Sequence, residues 1–202
     1  MSARGDEVQH SSHRLIPILG KGLQKYNQED CETIDPTNTV DVFDKEIWPY
    51  IKKYFHEESN VLDVGCGNGR FSSFIAKHVG RVDAIDGFRE ISPSHITENI
   101  HFYKKNIQEF EGENYDVIFL FGVFYLQESW GSYKAFEMLV SKLHSDGALI
   151  IIDDKKRDRD YAKSKQMAAG FYNLKELSDL NGVQILESFI QKNKIHKVSI
   201  IR

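Results

Sequence analysis

The chain has 202 residues, of which 41% are hydrophobic and 28% charged, so it suits one domain, or one domain with an arm, and is not a disordered chain. Its 26 lysines and arginines against 30 aspartates and glutamates give a formal net charge of -4, which argues against a protein that coats nucleic acid. Two cysteines are too few for the disulfide framework of a small secreted domain, and by themselves too few for a structural zinc site.

The amino-terminal part differs in pattern from the rest. Residues 1–40 carry scattered charge and little periodicity, with one apolar group within 15–26 that predicts a short helix or hook. We therefore expect a partly flexible arm, followed by a single domain at 41–202; such an arm could close over a bound ligand as a lid. No apolar run reaches the roughly 20 residues of a membrane helix, and the polar amino terminus lacks the apolar core of a signal peptide. The expectation is a cytoplasmic protein without membrane contact.

Helical and extended patterns alternate from residue 41 onward. Apolar residues recur at three- and four-residue steps over 42–55, which predicts an amphipathic helix that Pro49 kinks or splits. A short apolar strand at 60–64 then leads through glycines into a helix at about 69–78. The next strand is predicted at 81–86.

The middle of the chain continues this alternation. A weak strand at 101–103 precedes a strong one at 115–121, which is apolar nearly throughout, as in strands that are covered on both faces of a parallel sheet. A helix at 134–143, a turn at 145–147 and a strand at 148–152 follow. Strands that alternate with helices in this way predict a doubly wound sheet.

The last third of the chain breaks the rhythm. A short helix at 174–180 precedes two strands, at 183–190 and 195–201. The segment between these strands, 191–194, is too short for a parallel crossover, so the strands are predicted to form an antiparallel hairpin. The predicted fold is therefore α/β, with a doubly wound, mostly parallel seven-stranded sheet, a C-terminal antiparallel hairpin and helices on both faces.

The most informative segment is VLDVGCGNGR at 61–70. It places a buried strand, a glycine-rich turn and a helix start in succession, so that the backbone can approach a ligand and the helix N-terminus favours an anion. The spacing G-x-G-x-G is neither the G-x-G-x-x-G of nicotinamide sites nor a Walker loop. Asp86 ends the next strand, 19 residues after Gly67, where an acid is placed to accept hydrogen bonds from ribose hydroxyls. A glycine loop of this kind can be only a turn, but its setting and Asp86 favour a binding site.

Four segments together resemble the class I S-adenosylmethionine-dependent methyltransferases. VLDVGCGNGR is similar to the first motif of that family, D-x-G-x-G-x-G, and VDAIDGF to its second-strand motif. NYDVIFLFGVFYL is similar to the fourth-strand motif, DGALIIIDD to the fifth-strand motif, and the closing hairpin to the family's antiparallel seventh strand. The resemblance covers 41–202 and implies S-adenosylmethionine as the cofactor, but it does not specify the methyl acceptor.

The resemblance implies roles for residues around the glycine loop. Asp63 would order the loop, while Gly65, Cys66 and Gly67 would line the methionine and ribose part of the cofactor. Arg70, at the helix start, would pair with the methionine carboxylate.

A second group of residues is implied for the ribose and the adenine. Asp86, followed by Gly87, would hold the ribose hydroxyls, and Phe88 would cover the adenine. Asn106 with Ile107 occupies the position where the family usually has an acid that reads the adenine amine. Asparagine still offers a carbonyl acceptor for that contact.

Candidates for the reacting end lie at the carboxyl ends of the fourth and fifth strands, where ligands bind in open α/β sheets. Phe121 and Gly122 would border the sulfonium, and Tyr125 and the pair Asp153-Asp154 are the candidates that face the methyl group. Tyr125 could instead be a lid or packing residue, and the two aspartates could cap a helix or be solvated.

The implied reaction is an in-line displacement, in which alignment and desolvation are the main tasks and a base is needed only for a protonated nucleophile. The first hypothesis is an enzyme that acts on a small molecule or metabolite. The alternatives are a protein amine or amino terminus as the methyl acceptor, and a non-catalytic binding or scaffold protein.

The segment at 121–124 is not of the N-P-P-Y type found in many family members that act on planar amines. The charge run at 155–160 is a solvated face or a segment for an anionic substrate, and no metal is expected from the histidine spacing.

Overall fold

The computed structural model describes four stretches of the chain, residues 39–122, 132–154, 185–190 and 196–202. Several predicted features lie outside them: almost all of the arm, the charge run and the helix at 174–180. The division into an arm and a domain therefore stays a prediction.

Seven described strands form one sheet in the order β3-β2-β1-β4-β5-β7-β6. The strands are β1 (Asn60–Val64), β2 (Arg81–Ile85), β3 (Ile100–Tyr103), β4 (Tyr115–Phe121), β5 (Leu143–Asp154), β6 (Ile185–Ile190) and β7 (His196–Ile201). All neighbouring strands from β3 to β5 are parallel, whereas β7 is antiparallel to both β5 and β6. The predicted closing hairpin is therefore confirmed, and β7 lies between the fifth and sixth strands.

The described helices are short. They are α1 (Val40–Glu46), α2 (Trp48–Ile51), α3 (Arg70–Ile75) and α4 (Ser132–Ser141), with a 3-10 turn at Lys52–Tyr54. The Thr39 side chain caps α1 by accepting a hydrogen bond from the Val42 amide at 3.2 Å. Pro49 stands in the first turn of α2, where its missing amide costs no helical hydrogen bond, so the predicted helix splits at Ile47.

The sheet is covered on both faces, and alternate residues of each strand enter different cores. Val61 packs in the core under α1, α2 and α3, whereas Leu62 packs in the core under α4. Phe43 of α1 is 1% exposed and lies at the centre of the first core, with its ring edge-on to Phe74 at 5.3 Å and to Phe119 at 5.8 Å. The predicted α/β class with helices on both faces is confirmed.

Helix α3 is shorter than the predicted 69–78, because it ends at Ile75. The Asn99 side chain donates to the Ala76 carbonyl at 2.9 Å and to the Val79 carbonyl at 3.0 Å. These two carbonyls lie just beyond the end of α3, and the Asn99 side chain supplies the donors that another helical turn would have supplied.

The turn predicted at 145–147 lies inside β5. This strand pairs first through Leu143 with Tyr115, and its register then shifts so that Ala148 pairs with Val117. The turn-forming residues between the two pairings are thus accommodated as an irregularity within the strand. The prediction of a separate turn is wrong, whereas the apolar strand after it is confirmed.

Candidate functional site

The candidate site lies where three parallel strands end side by side. β1 is flanked by β2 and β4, so the glycine loop after β1 stands beside Asp86 after β2 and Gly122 after β4. The strand order reverses direction at β1, and ligands of open α/β sheets bind at the carboxyl ends of strands near such a point.

The glycine loop needs its glycines for conformational reasons. The φ angles of Gly65, Gly67 and Gly69 are 73°, 59° and 85°, in the left-handed region that side chains disfavour. A Cβ at Gly69 would also overlap the side chain of Ile91. The G-x-G-x-G spacing is therefore required by the backbone of this loop.

The first three amides of the loop bind the end of β2. The Gly65 and Cys66 amides both donate to the Ile85 carbonyl, at 2.8 and 3.1 Å. The Gly67 amide donates to Oδ2 of Asp86 at 2.9 Å. The loop is thus shaped by its neighbouring strand, and these three amides are already used within the protein.

The Asp86 carboxylate organises the turn after β2 as well as the loop. Its Oδ1 accepts hydrogen bonds from the Phe88 and Arg89 amides, both at 2.8 Å, and the whole residue is 9% exposed. A carboxylate offers about four acceptor positions, and three here take main-chain amides. Within the described part of the chain the Gly67 amide is the donor that Oδ2 takes, so the ribose role of Asp86 stays a prediction that this geometry allows.

Asp63 is buried in β1 and contacts the helix rather than the loop. Its Oδ2 accepts a hydrogen bond from the Ser72 hydroxyl at 2.6 Å, which ties α3 to the strand. Burial raises the pKa of Asp63 to about 7; the Ser72 hydrogen bond acts in the opposite direction and the charge of Asp86 adds to the increase. This hydrogen bond holds α3 to β1, and the role of Asp63 in ordering the loop between them stays a prediction.

The side chains of Cys66 and Arg70 also face the protein. The Cys66 thiol lies in the core under α1, α2 and α3, and burial raises its pKa, which leaves it a poor nucleophile. The guanidinium carbon of Arg70 lies 4.8 Å from the centre of the Phe71 ring. The main chain of Cys66, not its side chain, is therefore the part that can line a ligand, and the carboxylate role of Arg70 stays a prediction.

The residues predicted for the adenine lie around the turn after β2. Phe88 is 55% exposed, so its ring is available to a ligand. Gly87 lies against the side chain of Asn106, because a Cβ there would overlap the amide oxygen. Asn106 caps a 3-10 turn at Ile107–Glu109 through a reciprocal capping box, and the Ile107 side chain is buried in the core. Only the main chain at Ile107 can therefore contact an adenine.

The residues predicted for the reacting end are only partly described. Phe121 is half-buried, and its ring centre lies 4.5 Å from that of Phe71. Gly122 has a φ of 68°, and a Cβ there would meet no atom of the described residues within 4 Å. Tyr125 lies outside the described residues, and of Asp153 only the main chain, paired with Lys197, is described. Their catalytic roles stay predictions.

Sequence reasoning missed the segment that joins β2 to β3. The Asn68 carbonyl in the glycine loop accepts hydrogen bonds from the Ser92 amide at 2.9 Å and from Nδ1 of His95 at 2.8 Å. The signal was present in the sequence: residues 87–99 lack helical periodicity and contain Pro93, so this crossover had to be something other than a helix.

The described stretches contain neither a cluster of metal ligands nor a membrane-spanning helix. No three His, Cys, Asp or Glu side chains within 39–122, 132–154, 185–190 and 196–202 are grouped closely enough to hold a metal ion. Across the same residues, no helix has the length and apolar character needed to cross a bilayer.

Comparison with known proteins decides the family. A family model described as a methyltransferase domain matches residues 55–199. The chain belongs to the methyltransferase domain family. No curated protein matches the sequence.

Solved structures of methyltransferases share the fold. An S-adenosylmethionine-dependent methyltransferase from Aquifex aeolicus is similar over 88% of this chain and 99% of its own, with a TM-score of 0.64 and 21% identity. The N-methyltransferase NodS of Bradyrhizobium japonicum, in complex with S-adenosyl-L-homocysteine, covers 71% of this chain and 77% of its own, with a TM-score of 0.55 and 19% identity. The 1,6-didemethyltoxoflavin-N1-methyltransferase of Burkholderia thailandensis, with 1,6-didemethyltoxoflavin and S-adenosylhomocysteine bound, covers 72% of this chain and 71% of its own, with a TM-score of 0.57 and 20% identity. The family model confirms the prediction of a methyltransferase, and the similar structures share the predicted fold.

The residues of this methyltransferase fit S-adenosylmethionine as the cofactor. Among the described atoms, a Cβ at Gly67 would meet only Nη1 of Arg89, at 3.7 Å, and a Cβ at Gly122 would meet none within 4 Å. Bare backbone therefore faces the region in front of the strands. The loop amides that would hold a pyrophosphate are used by Ile85 and Asp86 instead. Such a loop suits a ligand that presents a ribose and an amino acid, as S-adenosylmethionine does.

Proposed function

We propose that this protein transfers the methyl group of S-adenosylmethionine to a small molecule by in-line displacement. The observation that carries the proposal is the hydrogen bond from the Gly67 amide to Oδ2 of Asp86, at 2.9 Å. It joins the glycine loop after β1 to the acid after β2, so the two parts that would hold the cofactor form one preorganised unit.

Each residue of this unit would have a distinct task. Asp86, whose described donors are the Gly67, Phe88 and Arg89 amides, would also accept a hydrogen bond from a ribose hydroxyl. The exposed ring of Phe88 would cover the adenine and lose apolar surface to it. The main chain of Gly65 and Gly67 would lie along the methionine part, and Gly122, after β4, would lie next to the reacting end.

When bound, the cofactor supplies an electrophilic methyl group on a positively charged sulfur. The chain's task is then to align an acceptor with that methyl group and to exclude water from the site. No covalent bond to the protein is needed. Tyr125 or Asp153 would take the proton of an acceptor that begins protonated. The buried thiol of Cys66, whose pKa burial raises, has no part in this chemistry.

Three observations support a small molecule as the acceptor. The net charge of -4 does not favour a nucleic acid. Residues 121–124 lack the tetrapeptide associated with planar amines. One similar structure, from Burkholderia thailandensis, is a methyltransferase with 1,6-didemethyltoxoflavin bound. A protein amine is the main alternative acceptor.

The proposal is tested in two steps. Calorimetric titration with S-adenosylhomocysteine should show binding at about micromolar strength, and Asp86→Ala should abolish it. The protein is then incubated with labelled S-adenosylmethionine and a cell extract that is separated by size. Label in the low-mass fraction supports a small-molecule acceptor, and label in the protein fraction favours the alternative. Binding without any transfer of label would indicate the scaffold protein.

A further inference from the structure

The connection between β2 and β3 is unusual for this fold. Parallel neighbouring strands are usually joined by an α-helix. β2 and β3 are parallel neighbours, yet residues 86–99 between them contain one 3-10 turn, Pro93–His95, and no α-helix. The segment lies against the glycine loop instead.

The contacts of this segment meet at Asn68 and Gly69. The Asn68 carbonyl accepts from the Ser92 amide and from Nδ1 of His95, at 2.9 and 2.8 Å, and two donors fill both lone pairs of a carbonyl oxygen. Ile91 fills the space where Gly69 has no side chain. Ile85 and Asp86 thus hold Gly65 to Gly67, while Ile91, Ser92 and His95 of the connection contact Asn68 and Gly69.

The side chain of His95 is the part of this contact that a substitution can remove. A carbonyl oxygen only accepts, so Nδ1 of His95 must carry a hydrogen. Both the Nδ1–H tautomer and the imidazolium carry that hydrogen. Asn68 stands between Gly67 and Gly69, and glycines are conformationally free. Without the hydrogen bond from His95, more of that freedom would have to be lost when a ligand binds.

We propose that His95 is a positioning residue for cofactor binding, which acts by holding the Asn68 carbonyl and thereby the ligand-binding shape of the glycine loop. This inference rests on the proposed function, because the ligand of the loop is taken to be S-adenosylmethionine. His95 need not touch that ligand. Its contribution is to order the loop before binding, so that less entropy is lost when the complex forms.

The experiment compares four variants with the wild type. His95→Ala removes the donor, whereas His95→Asn keeps one, because the asparagine amide nitrogen takes the place of Nδ1. His95→Gln keeps a polar side chain but moves its donor one bond farther out. His56→Ala is the matched control, since His56 is exposed and both of its described hydrogen bonds, with Ser59, are made by its main-chain amide and carbonyl. The dissociation constant of S-adenosylhomocysteine is measured by calorimetry well below each unfolding temperature, together with urea unfolding without ligand.

We expect His95→Ala and His95→Gln to weaken binding about three- to tenfold, as the loss of one hydrogen bond does, and His95→Asn and His56→Ala to stay within about twofold of the wild type. Unchanged affinity in His95→Ala and His95→Gln would overturn the inference while leaving the proposed function intact, even if both variants unfold more easily. A wild type that binds neither S-adenosylhomocysteine nor S-adenosylmethionine would overturn the proposed function, and this inference with it.

Discussion

Replacing Asp63 by asparagine should change how the stability of the protein depends on pH. Asp63 is 2% exposed, and its carboxyl accepts a hydrogen bond from Ser72. Burial, opposed by that bond and assisted by the charge of Asp86, raises its pKa from 3.8 to about 7. Between these two values the native state binds a proton at Asp63 that the unfolded chain has released.

The sign and the size follow from this difference in bound protons. A carboxyl whose pKa is raised by folding contributes stability that is fully present below the unfolded pKa and is lost as the pH rises through the folded pKa. The free energy of unfolding falls by up to about 1.4 kcal/mol per pH unit, or about 4 kcal/mol from 3.8 to about 7. Asparagine does not titrate, so Asp63→Asn should gain about that much relative to the wild type between the two pH values.

Urea unfolding at pH values from about 4 to 8 measures the free energy of unfolding of both proteins. Other titrating groups are shared, so their contributions cancel when the two curves are subtracted. Ser72→Ala is the matched variant: it removes the hydrogen bond that lowers the pKa of Asp63, so the fall in its stability should continue to higher pH. A difference between Asp63→Asn and wild type that does not change with pH would refute the reasoning, because it would mean that Asp63 is hydrated in the native state.

Three further substitutions have expected outcomes. Gly69→Ala should be less stable in urea than Gly122→Ala. Both variants place a side chain at positive φ, which costs about 1–2 kcal/mol, but only Gly69→Ala must also displace Ile91. Equal losses of unfolding free energy would contradict the contact between Gly69 and Ile91. Phe43→Ala should lower the free energy of unfolding by about 3–5 kcal/mol, because a fully buried ring leaves a cavity, and a loss below about 1 kcal/mol would place that ring outside the core. Phe88→Ala should leave stability within about 0.5 kcal/mol, since its ring is exposed, yet weaken S-adenosylhomocysteine about fivefold or more in calorimetry; unchanged affinity would exclude an adenine contact.

Features set by local sequence could be predicted. The bounds of β4 agree with the predicted 115–121, because a strand covered on both faces is apolar at nearly every position. Pro49 splits the first helix because its ring restricts the backbone and it has no amide hydrogen to donate. The glycine spacing likewise indicated a loop in which several residues adopt positive φ angles.

Features set by contacts between distant segments could not be predicted. Nothing in the pattern of the loop shows that the Gly67 amide meets Asp86, or that Asn68 meets His95, since these partners are brought together only when β2 pairs with β1. The direction of the Cys66 side chain is similarly decided by the core that receives it. The motif therefore located the candidate site, while the identity of the groups that hold its loop required the structure.

The position of β7 between β5 and β6 has a consequence for the nascent chain. The ribosome delivers the apolar strand at 148–152 well before residues 196–201, which bond to its open edge. In the interval, that edge can pair with other chains, as exposed apolar strand edges do. Among the described strands β6 also pairs only with β7, so it cannot shield the edge in the meantime. The yield of soluble protein should therefore depend on how soon β7 inserts after its synthesis, and slower initiation, which keeps unfinished chains apart, should raise it.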